Sequence, residues 1–282
     1  MTLPDFIIVG AMKSGTSTLA AQIGAQPGLF MTTPKEPNFF SDDAIWNKGA
    51  DWYRGLFSGA APGDLKGEAS THYTKRPRYP HTLERMQSFL KTPPRIVYVI
   101  RNPIDRAVSH FVHAWSEGEA GRDIRAAFAG TPDFVDFGCY GMQITPFIET
   151  FGADHVLLTS LEALRETPQA ELARVTRFLG YSATPQWQTK RARENASAAR
   201  TRKLPLHGIL VDNPIATALR RALIPKTLRN RIRQNQTFGD RPELPEDLCS
   251  ELKARFLEDR GILKEQFPGQ LALSACYPFA QP

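Results

Sequence analysis

Apolar residues along this chain come in short continuous runs that alternate with stretches of helical period. Phe6-Ile7-Ile8-Val9, bounded by Pro4-Asp5 and Gly10, predicts a strand buried on both faces. The run over 95–100, Arg-Ile-Val-Tyr-Val-Ile, is β-branched and nearly continuous and predicts the strongest strand; 155–159 predicts another. Helices are expected at 16–23, with a hydroxyl residue at its start, and at about 103–115, where Pro103 suits a first turn. Further helices are expected at 142–151, at 168–179 before Gly180, and at about 214–223 and 245–258. Residues 27–80 are rich in Pro, Gly and aromatics and read as loops and short pieces, with a strand near 65–69. Strand and helix alternate, which predicts an α/β fold with a central parallel sheet flanked by helices.

The turn after the first strand carries the first chemistry. Gly10-Ala11-Met12-Lys13-Ser14-Gly15-Thr16-Ser17 has the glycine spacing of a phosphate-binding loop, so the fold is expected to be P-loop-like and three-layered. Such a turn aims backbone N–H groups at an anion, and the helix N-terminus adds partial positive charge. A nucleoside triphosphatase loop requires Lys directly after the second Gly; here that position is Thr16, and the lysine is Lys13. The next strong strand ends in Arg101 rather than in an Asp that would hold Mg²⁺. The pattern therefore favours a metal-free anion over ATP·Mg²⁺. Arg101 stands at the strand's carboxyl end, where open α/β sheets bind ligands, and Ser109 follows on the next helix. A guanidinium and a hydroxyl converging on one phosphate would read it by charge and geometry, whereas Asp105 and Arg106 have the spacing of a surface pair.

Charge sharpens this picture once it is located. The net charge is +6, yet residues 190–233 hold twelve Lys or Arg against Glu194 and Asp212. The expectation for 190–233 is contact with a polyanion or a peripheral membrane surface, or a merely solvated basic face. Leu219, Leu223, Leu228 and Ile232 accompany its arginines, with Pro225 interrupting them. Cys139, Cys249 and Cys276 form neither a metal quartet nor a disulfide framework, and no basic leader or apolar span is visible, so a cytoplasmic location is expected. With 282 residues, 41% of them hydrophobic, a single domain over 1–282 is expected, with a core at about 5–205 and a helical, basic part at about 206–282.

Taken together, the two anion elements resemble those of sulfotransferases that use 3′-phosphoadenosine 5′-phosphosulfate (PAPS). Residues 6–19 are similar to the family's 5′-phosphosulfate loop, K-x-G-T-x-x-L after an apolar strand, and 101–111 to its 3′-phosphate element, R-[DN]-P-x-x-R-x-x-S-x-[FY]. Lys35-Glu36-Pro37-Asn38-Phe39-Phe40 resembles the K-E-x-x-[FY]-F segment of the heparan-sulfate-type branch, and 67–73 its G-E-x-[ST]-x-x-Y stretch. The resemblance covers about residues 5–205 and implies transfer of a sulfuryl group to a hydroxyl or amine, with a carbohydrate or glycan as the expected acceptor. It implies that Lys13, the backbone of 14–18 and the hydroxyls of Thr16 and Ser17 hold the 5′-phosphosulfate, which puts Lys13, Ser14, Gly15, Thr16, Ser17 and Thr18 in the cofactor site. Arg101 and Ser109 would take the 3′-phosphate, and Arg200 or Arg202 a lid contact, although the Gly usual in that loop is missing here. No metal is required. Glu36 becomes the expected general base, with His72 as the competing candidate and Lys13 as a catalytic cation. The branch carries a Lys after the Glu of its G-E segment; here that residue is Ala69, so its function is absent or falls to Lys13.

Other readings stay open at this level. Glu36 has an ion pair with Lys35 as its alternative role, and His72 has packing beside Tyr73. Trp46, Trp52, Tyr53 and Trp115 are candidates for stacking on sugar rings or for the core. The rival functions are an ATP-dependent P-loop kinase for a small metabolite and a nucleotide- or RNA-binding module built on 190–233. No aromatic stacking motif is interleaved with those arginines, so nucleic acid is not the expected partner.

Overall fold

A computed structural model describes residues 3–189 and 241–280. Five strands form one parallel sheet: β1 (Phe6–Gly10), β2 (Leu29–Met31), β3 (Leu65–Ala69), β4 (Arg95–Ile100) and β5 (Val156–Ser160), in the spatial order β2-β3-β1-β4-β5. The described helices are α1 (Thr16–Ile23), α2 (Asp43–Trp46), α3 (Gly49–Gly55), α4 (Thr82–Phe89), α5 (Pro103–Glu117), α6 (Ile124–Gly130), α7 (Asp133–Asp136), α8 (Tyr140–Phe151), α9 (Leu161–Glu166), α10 (Pro168–Phe178), α11 (Glu246–Gln266) and α12 (Leu271–Cys276). A 3-10 turn over Thr71–Thr74 follows β3.

All five residues of β1 are buried because β3 and β4 flank it and helices cover both faces. Alternate residues of β1 and β4 serve different cores, as the two-residue strand period demands. Phe6, Ile8, Val97 and Val99 pack with α1 and α10 on one face, where Leu19, Ile23, Leu172 and Val175 meet them. Ile7, Val9, Ile96, Tyr98 and Ile100 face a larger core that includes Phe111 of α5, Phe147 of α8 and Phe256 of α11. The three-layer α/β arrangement expected from the alternation is what the chain adopts.

Element boundaries follow local chemistry where a cap is present. Asn102 caps α5, its side-chain oxygen accepting from the Ile104 and Asp105 N–H groups at 3.0 and 3.3 Å, with Pro103 in the first turn. α1 begins at the hydroxyl-bearing Thr16 as expected, with Gly15 as its cap and no side-chain cap hydrogen bond. The span from 27 to 80 is more structured than its composition predicts, since it holds β2, α2 and α3 as well as β3. α11 runs to Gln266, past the expected end near 258. The helix expected at 214–223 and the basic segment 190–233 lie outside the described residues.

Strand order positions the site. From β1 the chain turns to β2 and β3 on one side, then crosses to β4 on the other. The loops after β1 and β4 therefore diverge and leave a crevice at the carboxyl edge of the sheet.

Candidate active site

A cleft of about 560 Å³ opens at that edge. Lys13, Gly15, Thr16, Ser17 and Thr18 line it from the β1–α1 turn, Arg101 and Ser109 from the β4–α5 side, and Glu36 and His72 from the segments beside β3. Residues far apart in sequence thus meet in one place. Ser14 is the exception: its side chain is wholly buried, its N–H donates to the Ala11 carbonyl at 3.2 Å, and it is not part of the lining. Arg200 and Arg202 lie outside the described residues.

The turn after β1 is shaped for an anion. Lys13 is held at φ 69, a left-handed conformation that a side-chain-bearing residue adopts only under constraint. Gly15 has φ 91, and a Cβ there would come within 2.7 Å of Leu161, so the turn closes over α9 only with glycine. The first turn of α1 has neither a side-chain cap nor an acidic residue, which leaves its N–H groups and partial positive charge to the cleft. Arg101 Nη1 donates to the Lys13 carbonyl at 3.3 Å, and Tyr140 donates to the Arg101 carbonyl at 2.9 Å. These bonds tie the two anion elements together. Lys13, Lys75, Arg101 and Arg165 supply four cationic side chains to the lining against one carboxylate, Glu36. This donor set fits a ligand with two anionic groups, one met by Lys13 and the start of α1, the other by Arg101 and Ser109. Among the described residues no group of three His, Cys, Asp or Glu side chains is arranged to hold a metal ion.

The Glu36 end is built differently. Glu36 sits on irregular chain at φ 62, and Asn38 at φ 54. The loop is fixed by its N–H bond to the Ala69 carbonyl at 2.9 Å and by Asn38 N–H donating to Ser70 Oγ at 3.1 Å. Ser70 in turn donates to Glu68 at 2.7 Å, and the Tyr53 and Tyr73 hydroxyls donate to the other Glu68 oxygen at 2.7 and 2.8 Å. Burial pushes the Glu68 carboxyl above its ordinary value, against the pull of those three hydroxyls. Glu36 accepts from Lys35 at 2.5 Å and from Thr71 at 3.1 Å. Its partial burial acts to raise its pKa, but the Lys35 charge and hydrogen bond, Thr71 and the Lys75 charge together hold it below the usual value. The Lys35 pair and a place in the cleft coexist in Glu36, so the two roles read from sequence are not exclusive. His72 stacks on Tyr79 with centroids 4.6 Å apart, and burial together with the Lys75 charge brings its pKa down to about 4. Its imidazole is neutral near pH 7.

Several sequence readings need correction. Asp105 and Arg106 are not a surface pair: Arg106 is fully buried, donating to the Phe134 carbonyl and lying 3.4 Å from His110 Nδ1. Asp105 pairs instead with Arg241 at 2.7 Å and Arg101 at 3.7 Å. Tyr53 and Trp115 are buried and belong to the core, whereas Trp46 and Trp52 are partly buried and pack around Phe39, and Trp46 also lines a second pocket with His81 and Arg85. Arg106 faces inward because it falls on the side of α5 that meets α7.

Residues 3–237 match the family model described as the sulfotransferase domain. The chain belongs to this sulfotransferase family. Heparan sulfate glucosamine 3-O-sulfotransferase 6 of Mus musculus is 30% identical over 185 residues, which make up 63% of this chain and 52% of that protein. Bifunctional heparan sulfate N-deacetylase/N-sulfotransferase 2 of Homo sapiens is 24% identical over 199 residues, 63% of this chain and 22% of the relative. The chain thus spans little more than half the length of the first and less of the second. A solved sulfotransferase from Alicyclobacillus acidocaldarius shares the fold with a TM-score of 0.68 at 23% identity, over 96% of this chain and 98% of that one. Within this sulfotransferase the sequence motifs led to Lys13, Arg101, Ser109, Glu36 and His72. They did not lead to Thr71, Lys75, His113, Arg165 or Trp187, which also line the cleft. His113 stands one helical turn after Ser109, a spacing that could have signalled it; Lys75 follows the 67–73 stretch by two residues and carries no motif of its own.

Proposed function

We propose that this sulfotransferase moves the sulfuryl group of PAPS to a hydroxyl or amine of a glycan of the heparan type. The observation that carries the reading is the meeting of Lys13, Arg101, Ser109 and Glu36 in one cleft at the sheet's carboxyl edge. PAPS supplies an activated sulfuryl group whose leaving group is a phosphate. Lys13, the hydroxyls of Thr16 and Ser17 and the N–H groups at the start of α1 hold the 5′ end and meet the charge that develops on the leaving oxygen. Arg101 and Ser109 hold the 3′-phosphate. Glu36, kept ionised by Lys35 and Thr71, accepts the acceptor's proton, and the neutral His72 stays beside it as a polar wall. Placement rather than covalent chemistry by the protein provides the acceleration.

The acceptor class is supported by the two relatives, whose names pair 3-O-sulfation of glucosamine and N-sulfation with heparan sulfate. The test is transfer of ³⁵S from labelled PAPS to unsulfated and N-sulfated heparan-type oligosaccharides, with phenols and small alcohols as comparison acceptors. The expected result is labelled oligosaccharide with little label in phenol. Label in phenol alone would overturn the glycan assignment, and absence of transfer to any acceptor despite PAPS binding would overturn the reaction.

A further inference from the structure

Lys75 follows the 3-10 turn after β3 and reaches the same cleft as Glu36, Thr71 and His72. Only 8% of the residue is exposed, yet its ammonium has no hydrogen-bond acceptor among the described residues. The ammonium lies 5.8 Å from the centre of the Phe137 ring. The rest of the side chain is enclosed while the ammonium opens only to the cleft, so its donors are left for water or a ligand bound there. The backbone beneath it is fixed: the Thr74 hydroxyl donates to the Val9 carbonyl at 2.8 Å, and a Cβ on Gly10 would fall 2.0 Å from that hydroxyl oxygen. The turn bearing Lys75 is therefore seated directly on the root of the phosphate loop, and glycine at position 10 is what lets it approach.

We propose that Lys75 is a catalytic residue that binds the oxygens of the sulfuryl group during transfer, as a second cation beside Lys13. The inference rests on the sulfuryl-transfer reading above. In the step, the acceptor's O–H or N–H proton goes to the Glu36 carboxylate and the acceptor's electron pair forms the new bond to sulfur. The bond from sulfur to the phosphate oxygen breaks, its electron pair leaving with the phosphate. Lys75 keeps all its protons and offsets the charge on the sulfuryl oxygens. Its surroundings set the pH range of this role. Burial and Arg78 lower its pKa while Glu36, Asp133 and Glu119 raise it, leaving it at about 8. His72 and His110 also face it, and its charge helps to keep both neutral. The cation thus predominates at pH 7 and becomes the minor form by pH 9.

PAPS and its product, adenosine 3′,5′-bisphosphate (PAP), differ by the sulfuryl group alone, so their relative affinity reads this contact without turnover. Calorimetry on the wild type should show PAPS bound about tenfold more tightly than PAP at pH 7, with the preference shrinking at pH 9. Lys75→Met should keep PAP affinity and lose the preference, and Lys75→Arg should retain it at pH 9. An equal PAPS-to-PAP ratio in wild type and Lys75→Met overturns the proposal. Failure of the wild type to bind PAP overturns the sulfuryl-transfer reading instead. Should Lys75→Met fold poorly, amine labelling of wild-type Lys75 decides by mass spectrometry: PAPS should block it and PAP should not, whereas equal protection by both ligands would refute the contact.

Discussion

The two ends of the cleft are made by different means. The Lys13–Arg101 end rests on strand termini: β1 and β4 are parallel neighbours whose register shifts between Ile8 and Gly10, and the turns that follow them are bonded to each other through Arg101 and the Lys13 carbonyl. The Glu36 end has no strand of its own. Its loop is held to the end of β3 by the Ala69 carbonyl and by the Glu68–Ser70–Asn38 chain of hydrogen bonds. Sheet geometry fixes the place of Lys13 and Arg101, whereas a buried polar network fixes the place of the Glu36 carboxylate. Binding and turnover should therefore separate on mutation.

The sharpest separation is expected from Glu36→Gln, which should lower turnover roughly 10²- to 10⁴-fold while leaving PAP affinity unchanged in calorimetry. A parallel loss of affinity would join the two ends into one unit. Lys13→Ala and Arg101→Ala make the reverse cut. Each should weaken PAP roughly 10- to 100-fold, since each removes a charged donor to an anion.

Glu68→Gln probes the network that carries the Glu36 end. It replaces an oxygen that accepts hydroxyl donors by an amide NH₂, and should destabilise the protein by about 2 kcal/mol in urea unfolding. The folded fraction should still bind PAP; weakened PAP binding by that fraction would show that the network supports both ends.

His72→Gln is expected to have the smallest effect, a turnover loss under about tenfold, because its neutral ring only borders Glu36, the proposed base. Its mark should be on stability against pH. Its pKa is depressed from 6.5 to about 4 in the folded chain. Between those values the unfolded chain binds more protons, so stability falls as pH drops through the window. Buried His110, with a pKa of about 2, adds to the same slope. His72→Gln should flatten the slope partly, measured by urea unfolding at pH 4.5, 5.5 and 6.5; an unchanged slope would mean that His72 is solvated in the folded chain.

The same contrast explains what the sequence could reveal. β1, β4 and the turns behind them announce themselves because apolar runs, Gly15 and the Asn102-Pro103 cap act within a few residues of one another. Glu36 was found by likeness to a motif, but the Tyr53, Tyr73 and Ser70 donors that hold its loop through Glu68 are distributed over α3, the 3-10 turn and β3, and no local period records that. Lys75 was invisible for the same reason: its position depends on Thr74 reaching Val9 across 65 residues. Arg106 misled because a charged residue on an amphipathic helix is usually solvated, while here the Phe134 carbonyl and His110 meet its two terminal nitrogens inside. Short elements such as β2 and α4 left little trace, since three to eight residues carry too few periods to stand out among prolines and glycines.

The central claim is that the cleft is a two-anion site built by Lys13 and Arg101 for PAPS rather than for ATP·Mg²⁺. Calorimetric titration of PAP and of ATP·Mg²⁺ into the wild-type protein tests it most directly. The account predicts PAP binding with EDTA present and far weaker binding of ATP·Mg²⁺, with the PAP heat largely gone in Lys13→Ala and Arg101→Ala. Equal or tighter binding of ATP·Mg²⁺ would contradict it.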